Sequence, residues 1–146
     1  MTLDQPLVQD LETLPHAESN MALRILVVED GKNAADILAM FFELEGYQVG
    51  VAYDGAEAVN LALSLRPHLI LMDIGMPRMN GLEAARRIRA AGNGNPVIVA
   101  LSGLDQDDDK RQCTEAGIDA HLAKPVGPGE LRALIERFRP RFATLV

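Results

Sequence analysis

Four short apolar runs in this chain each end on a group that can hold a cation or a phosphoryl oxygen. Ile25-Leu26-Val27-Val28 runs into Glu29-Asp30, and Leu69-Ile70-Leu71-Met72 runs into Asp73. Val97-Ile98-Val99-Ala100-Leu101 is followed by Ser102, and Ala120-His121-Leu122-Ala123 by Lys124-Pro125. Each polar group sits where a short buried strand would end. In an open parallel sheet those carboxyl ends share one edge, and ligands bind there. Four remote pieces of sequence therefore converge on an acidic pocket with one ammonium and one hydroxyl. Such a pocket suits a divalent cation and a phosphoryl group.

Crowded carboxylates resist joint ionisation unless a cation sits among them. Magnesium takes oxygen ligands, keeps several waters, and commonly uses one or two carboxylates plus a substrate phosphate. Glu29, Asp30 and Asp73 supply such an incomplete shell. Asp73, at the end of a central strand, is the best nucleophile, because carboxylates form aspartyl-phosphates. Lys124 neutralises a phosphate as a flexible point charge, and Ser102 can hydrogen-bond a phosphate oxygen. Taken singly, each residue has a plainer reading. An acid or serine at a strand end commonly caps the next helix, acids suit a helix start, and a lone lysine is usually solvated. The joint placement outweighs these separate readings.

The elements that must position these groups alternate from Leu23 onward. A strand at Arg24–Val28 leads to a helix near Asn33–Glu45, closed by Gly46 as the residue beyond the cap. Gln48–Ala52 is a second strand. Asp54-Gly55 opens a helix through Leu65, stopped by Pro67. Leu69–Met72, apolar throughout, is a strand covered on both faces. A helix near Leu82–Ala91, a turn over Gly92–Pro96 and a strand at Val97–Leu101 follow. An acidic helix near Asp107–Ala116 stops at Gly117, and Ala120–Ala123 is a short fifth strand. Pro128 opens a last helix with Leu131, Leu134, Ile135 and Phe138 on one face. Crossovers between parallel strands are right-handed. The expected fold is therefore α/β, a five-stranded doubly wound parallel sheet of order 2-1-3-4-5. Strands one and three then meet where the winding reverses, bringing Glu29, Asp30 and Asp73 together.

The remaining features bound the function. At 146 residues the chain suits one domain, expected over residues 23–140, with a tail at 141–146. A net charge of −7 argues against a nucleic-acid surface. The single cysteine, Cys113, makes no internal disulfide and suits a reducing cytoplasm. No stretch approaches a membrane span, and the N-terminus lacks the basic and apolar parts of a secretory signal. Residues 1–22 read as an extension. Within it Leu7, Val8, Leu11 and Leu14 are spaced for one face of a short helix. Packing on the domain is its plainer role; contact with a partner, or with a second copy to form a homodimer, is the sharper one.

These residues resemble the receiver domain of two-component response regulators, the fold family of the bacterial chemotaxis regulator. The matching pieces are Val27-Val28-Glu29-Asp30, Leu71-Met72-Asp73-Ile74, Met76-Pro77-x-Met79-x-Gly81, Leu101-Ser102 and Ala123-Lys124-Pro125. They span about residues 23–139. The resemblance implies a flavodoxin-like receiver fold and a phosphorelay switch rather than an enzyme, a protein that assists its own magnesium-dependent phosphorylation and dephosphorylation. It implies that Asp73 accepts a phosphoryl group from a histidine kinase or histidine phosphotransfer protein. Glu29, Asp30, Asp73 and the backbone carbonyl of Gly75 would hold Mg2+. Lys124 would pair with the phosphoryl group, Ser102 would be the switch hydroxyl, and the Lys124-Pro125 bond is often cis in relatives. The output would pass through the fourth helix, fifth strand and fifth helix to a downstream protein that the sequence does not name.

Four positions depart from the family pattern. Gly75 and Leu104 stand where relatives often carry polar side chains that tune attack of water, so a long-lived phosphoryl group is expected. Gly31 follows the acid pair where Asn is common and would loosen the first helix start. Gly103 leaves the site more open than a bulkier residue. His121 replaces the aromatic switch residue, and is either a half-buried strand residue or a gate moving with Ser102. His68 reads as a turn residue and, with His16, completes no metal cluster. Asp107-Asp108-Asp109 reads as a solvated helix start. The segment around Lys124 looks like that of receivers attached to hybrid histidine kinases, and no effector-length stretch follows Phe138, so a stand-alone regulator and an excised receiver both fit.

Two other function classes are weighed against the switch. An Asp-nucleophile metal-dependent phosphatase would need a second acid and a cap, neither of which accompanies Asp73-Ile74-Gly75. A non-phosphorylated receiver-like module would not need Asp73, Lys124 and the acid pair intact.

Overall fold

Side-chain alternation sorts the strands of this chain into two opposed faces. In β1 (Arg24–Val28), β3 (Leu69–Asp73) and β4 (Val97–Ser102), successive residues point to opposite sides. Leu26, Val28, Ile70, Met72, Ile98 and Ala100 face one layer, while Ile25, Val27, Leu69, Leu71, Val97, Val99 and Leu101 face the other. All five residues of β3 are buried, as a central strand covered on both sides must be. The computed structural model describes residues 23–76, 80–92, 94–103 and 109–142.

Completing the sheet are β2 (Gln48–Ala52) and β5 (Ala120–Ala123), and the order is β2-β1-β3-β4-β5 with every pairing parallel. The helices are α1 (Lys32–Leu44), α2 (Gly55–Leu65), α3 (Gly81–Ala91), α4 (Asp109–Glu115) and α5 (Pro128–Phe142). Phe42 of α1 and Leu131, Leu134, Ile135 and Phe142 of α5 pack on one face. Ala58, Ala62, Ala84, Ala85, Ile88, Cys113 and Ala116, from α2, α3 and α4 with its C-terminal flank, pack on the other. The small residues of α2 and α3 let those helices lie close to the sheet. Both the strand order and the doubly wound layering agree with the sequence expectation.

Local chemistry sets the helix ends. Asp54 accepts the Glu57 N–H at 2.8 Å and Asn80 accepts that of Glu83 at 3.0 Å, each satisfying an orphan donor of the first turn. Gly46 at φ 97° and Gly92 at φ 64° supply the left-handed residue that ends α1 and α3. At the end of α2 that role falls to Arg66, at φ 53°, just before Pro67.

Several expectations need adjustment. α5 continues through Pro140 to Phe142, which is buried in the core, so regular structure runs past residue 140. A proline so near the helix end costs one backbone bond in the last turn. α4 is described from Asp109. His68 is not a free turn residue. It is buried at the foot of the sheet, where its Nδ1 accepts the Arg24 N–H at 3.0 Å while its own N–H donates to Arg24 O at 2.8 Å. The imidazole thus stands in for a backbone carbonyl in the first rung between β1 and β3. The Leu7–Leu14 segment, His16, Leu104, and Asp107 and Asp108 lie outside the described residues.

Candidate functional site

The strand ends bring the predicted groups to one place. β1 and β3 are neighbours in register, with Val28 beside Met72, so Glu29 and Asp73 leave the sheet side by side. Glu29, Asp30 and Asp73 each offer a carboxylate oxygen within 4.8 Å of the others. Glu29 and Asp73 are buried and Asp30 is exposed. On the other side, β5 ends beside β4, and the Lys124 N–H donates to Ser102 O at 2.9 Å. From there the Lys124 side chain crosses to the acids. Its ammonium donates to Glu29 Oε1 at 3.0 Å and to Asp73 Oδ2 at 3.1 Å. The Lys124-Pro125 peptide bond is cis.

Backbone donors hold the two buried carboxylates in place. The Gly75 N–H donates to Asp73 Oδ1 at 2.9 Å, and the Gly31 N–H donates to Glu29 Oε2 at 3.0 Å. Asp73 therefore has one oxygen on a backbone amide and the other on the ammonium. Gly81 makes this possible from behind. A Cβ there would lie 2.6 Å from Asp73 O and 2.7 Å from Ile74 Cα, so only glycine lets the start of α3 seat against the end of β3. Gly31 has φ −77°, open to any residue, but a side chain would come 3.3 Å from Glu29 Oε2.

The electrostatics are unbalanced. Of the three clustered carboxylates, Glu29 and Asp73 share the Lys124 ammonium. Burial raises the Glu29 carboxyl above its usual range; its bonds from Gly31 and Lys124 oppose this, and the Asp73 charge adds to it. Burial alone would lower the Lys124 pKa, yet its contacts with Glu29 and Asp73 outweigh that and raise it. Lys124 is thus held as a cation beside Glu29 and Asp73. An all-oxygen donor set with one water-exposed member fits a hard divalent cation.

Ser102 ends β4 next to this cluster and is half-buried, and His121 is half-buried on β5 opposite Ala100. A groove of about 520 Å³ opens beside Lys124, walled by Ala34, Ile37 and Leu38 of α1 and by Gly103, Pro125 and Val126. A Cβ at Gly103 would meet nothing within 4 Å. The groove was not foreseen, because its walls come from α1 and the segment after β5.

The chain is a doubly wound parallel α/β protein with an acid cluster and a lysine at the switch edge, where ligands of this fold class bind. The comparisons narrow that class. Residues 25–136 match the family model of the response regulator receiver domain, and the chain belongs to that family. It is 37% identical over 127 residues to response regulator MprA of Mycobacterium bovis, a match covering 84% of this chain and 55% of that protein. The chain thus spans about half the length of the curated relatives it matches. Among solved structures it is similar to the receiver domain of a sensor histidine kinase from Pseudomonas aeruginosa PAO1, at 35% identity and TM-score 0.72, covering 79% of this chain and 95% of that one. That structure holds a magnesium ion coordinated in its active-site cleft. Chemotaxis protein CheY4 of Vibrio cholerae matches at 27% identity and TM-score 0.75, covering 79% and 97%. None of the described helices is long and apolar enough to cross a membrane.

Proposed function

We propose that this receiver domain is a phosphorelay switch whose acceptor is Asp73. The observation that carries the reading is the double contact of Lys124, at 3.0 Å from Glu29 and 3.1 Å from Asp73, with Asp30 in the same cluster. A histidine kinase or histidine phosphotransfer protein is the donor. An Asp73 carboxylate oxygen attacks the phosphorus, the O–P bond forms, and the donor's N–P bond breaks. Its electron pair returns to the imidazole, which takes up a proton.

Positioning and charge neutralisation supply most of what such a transfer needs. The Gly75 amide orients the nucleophile through Oδ1. The Lys124 ammonium, free to swing on its stem, follows the transferred oxygen and pairs with it. Ser102 donates its hydroxyl to another phosphoryl oxygen. Glu29, Asp30, Asp73 and the Gly75 carbonyl would hold magnesium, which would offset the charge between the carboxylates and the incoming phosphoryl group. The chain assists transfer and loss of its own phosphoryl group and acts on no other substrate. Movement of Ser102, with His121 as the gate on β5, carries the state to the surface of α4, β5 and α5, where a downstream protein reads it.

Beryllofluoride with magnesium tests this reading on the full chain. The switch binds it at Asp73, and Asp73→Asn does not. An interaction module would ignore it, and a phosphatase would in addition turn over small phosphate esters repeatedly.

A further inference from the structure

The strand that carries Lys124 is an edge strand with a thin apolar anchor. β5 pairs with β4 alone. Of its residues Ala120 is buried, His121 and Leu122 are half-buried, and Ala123 is exposed. Lys124 must nevertheless leave the end of this strand with its ammonium in hydrogen-bond reach of Asp73, which ends a strand two places away in the sheet. A feature other than apolar packing must set where β5 lies along β4.

A polar grip at the opposite end of β5 supplies that feature. Asp119, just before the strand, donates its N–H to Ile98 O at 2.7 Å, and its Oδ2 accepts the Ile98 N–H at 2.9 Å. It thereby holds both backbone polar groups of a β4 residue. Arg89, near the C-terminal end of α3, holds Asp119 in turn. Its Nη2 donates to Asp119 Oδ2 at 3.0 Å and to Gly117 O at 2.7 Å, and its Nε donates to Gly117 O at 3.1 Å. Its Nη1 donates to Pro96 O at 2.7 Å and to Asn95 Oδ1 at 2.9 Å. A guanidinium has five N–H donors, and here each has an acceptor. Arg141 of α5 takes the other carboxylate oxygen of Asp119 at 3.0 Å. Gly117 belongs to the same fit, since a Cβ there would strike the Arg89 side chain at 2.8 Å.

The helix that carries Arg89 also touches the acceptor. Its first residue, Gly81, seats against Asp73, where a Cβ would come 2.6 Å from Asp73 O. One helix thus borders Asp73 at its N-terminal end and grips the start of β5 near its C-terminal end. We propose that Arg89 is a positioning residue for phosphoryl transfer. By fixing Asp119 and Gly117 it sets the place of β5 along β4, and so the reach of the Lys124 ammonium to Asp73. The bonds of Arg89 all lie at the end of β5 away from the reacting groups, so it acts only through Lys124. This role rests on the reading of Asp73 as phosphoryl acceptor and Lys124 as its partner.

A double-mutant cycle on the full chain tests it, with phosphorylation by acetyl phosphate and magnesium followed by intact mass. Rates are compared well below each variant's thermal midpoint, so that every chain is folded. Arg89→Gln removes the charge and the fork. It should slow phosphorylation roughly tenfold or more, because a misplacement of about 1 Å can cost about 100-fold. In the Lys124→Met background the same substitution should change the rate by less than about twofold, since the group it positions is already gone. Arg89→Lys, which keeps the charge and part of the donor set, should fall between Arg89→Gln and the parent. No slowing in the parent background, or equal slowing in both backgrounds, overturns the proposal. If Arg89→Gln does not fold, Arg89→Lys takes its place in the cycle under the same criterion. A parent chain that gains no phosphoryl group removes the acceptor reading and the positioning role with it, whereas the cycle outcomes bear on Arg89 alone.

Discussion

The Lys124 ammonium stands 3.1 Å from Asp73 Oδ2 although the two residues are 51 positions apart in the chain. The same ammonium is 3.0 Å from Glu29 Oε1, so one cation joins the ends of β1, β3 and β5. Side-chain geometry thus ties three strands together at the edge where the sheet changes winding direction.

Removing that cation should impair transfer more than folding. Lys124→Met keeps the aliphatic stem and deletes the charge. A charge-assisted hydrogen bond contributes about 1.5–3 kcal/mol, so phosphorylation by a small donor such as acetyl phosphate should slow by roughly 10- to 100-fold. Rates followed by intact mass check this; an unchanged rate would remove Lys124 from the proposed mechanism.

The close approach at Gly81 predicts a stability loss. A methyl group there meets Asp73 O at 2.6 Å and Met72 Cγ at 3.0 Å. Overpacking of this kind typically costs about 1–3 kcal/mol. Gly81→Ala should therefore lower the urea midpoint and disturb the Asp73 backbone, whereas Gly103→Ala, with open space around its Cβ, should leave the midpoint near that of the parent.

His68 gives the fold an acid-sensitive joint. Burial, and then the Arg24 charge, lower its pKa below 6.5 in the folded chain, and its unprotonated Nδ1 must accept the Arg24 N–H. The unfolded chain then binds more protons than the folded one as pH falls below about 6.5, so stability rises with pH across that window. His68's contribution is complete above pH 6.5 and is lost as pH falls through the lowered folded value. Urea titrations of the parent and of His68→Asn, which keeps an acceptor but does not titrate, should show a smaller acid loss in the variant. Parallel pH profiles would contradict this.

The fold was readable because apolar runs of strand length alternate with helix-period segments, and because Glu29-Asp30, Asp73, Ser102 and Lys124 all follow such runs. Parity along each strand then determined which face each residue covers. Other features were not readable for a physical reason: they depend on partners distant in sequence. His68 looks like a turn residue until Arg24 is placed beside it. Asp119 shows no role until Arg89 and Arg141 reach its two carboxylate oxygens, each at 3.0 Å, and the Ile98 N–H joins at 2.9 Å. The burial of Phe142 depends on contact with the face that also holds Leu69 and Val97, and its ring lies 6.3 Å from that of His68. The groove beside Lys124 has the same origin, since no local pattern pairs Ile37 with Val126.

Phosphoryl lifetime tests the reading of Gly75. It is exposed beside Asp73, donates its N–H to Oδ1, and has no side chain to orient a water. The phosphorylated chain should persist for minutes or longer, and Gly75→Asn should shorten that time. Loss within seconds from the parent would contradict the expectation.

Acceptance of a phosphoryl group at Asp73 is the central claim, and intact mass followed by peptide mapping measures it directly. With acetyl phosphate and magnesium the full chain should gain one phosphoryl group, located on Asp73 and absent from Asp73→Asn. No gain in the parent, or an equal gain in Asp73→Asn, would contradict the account.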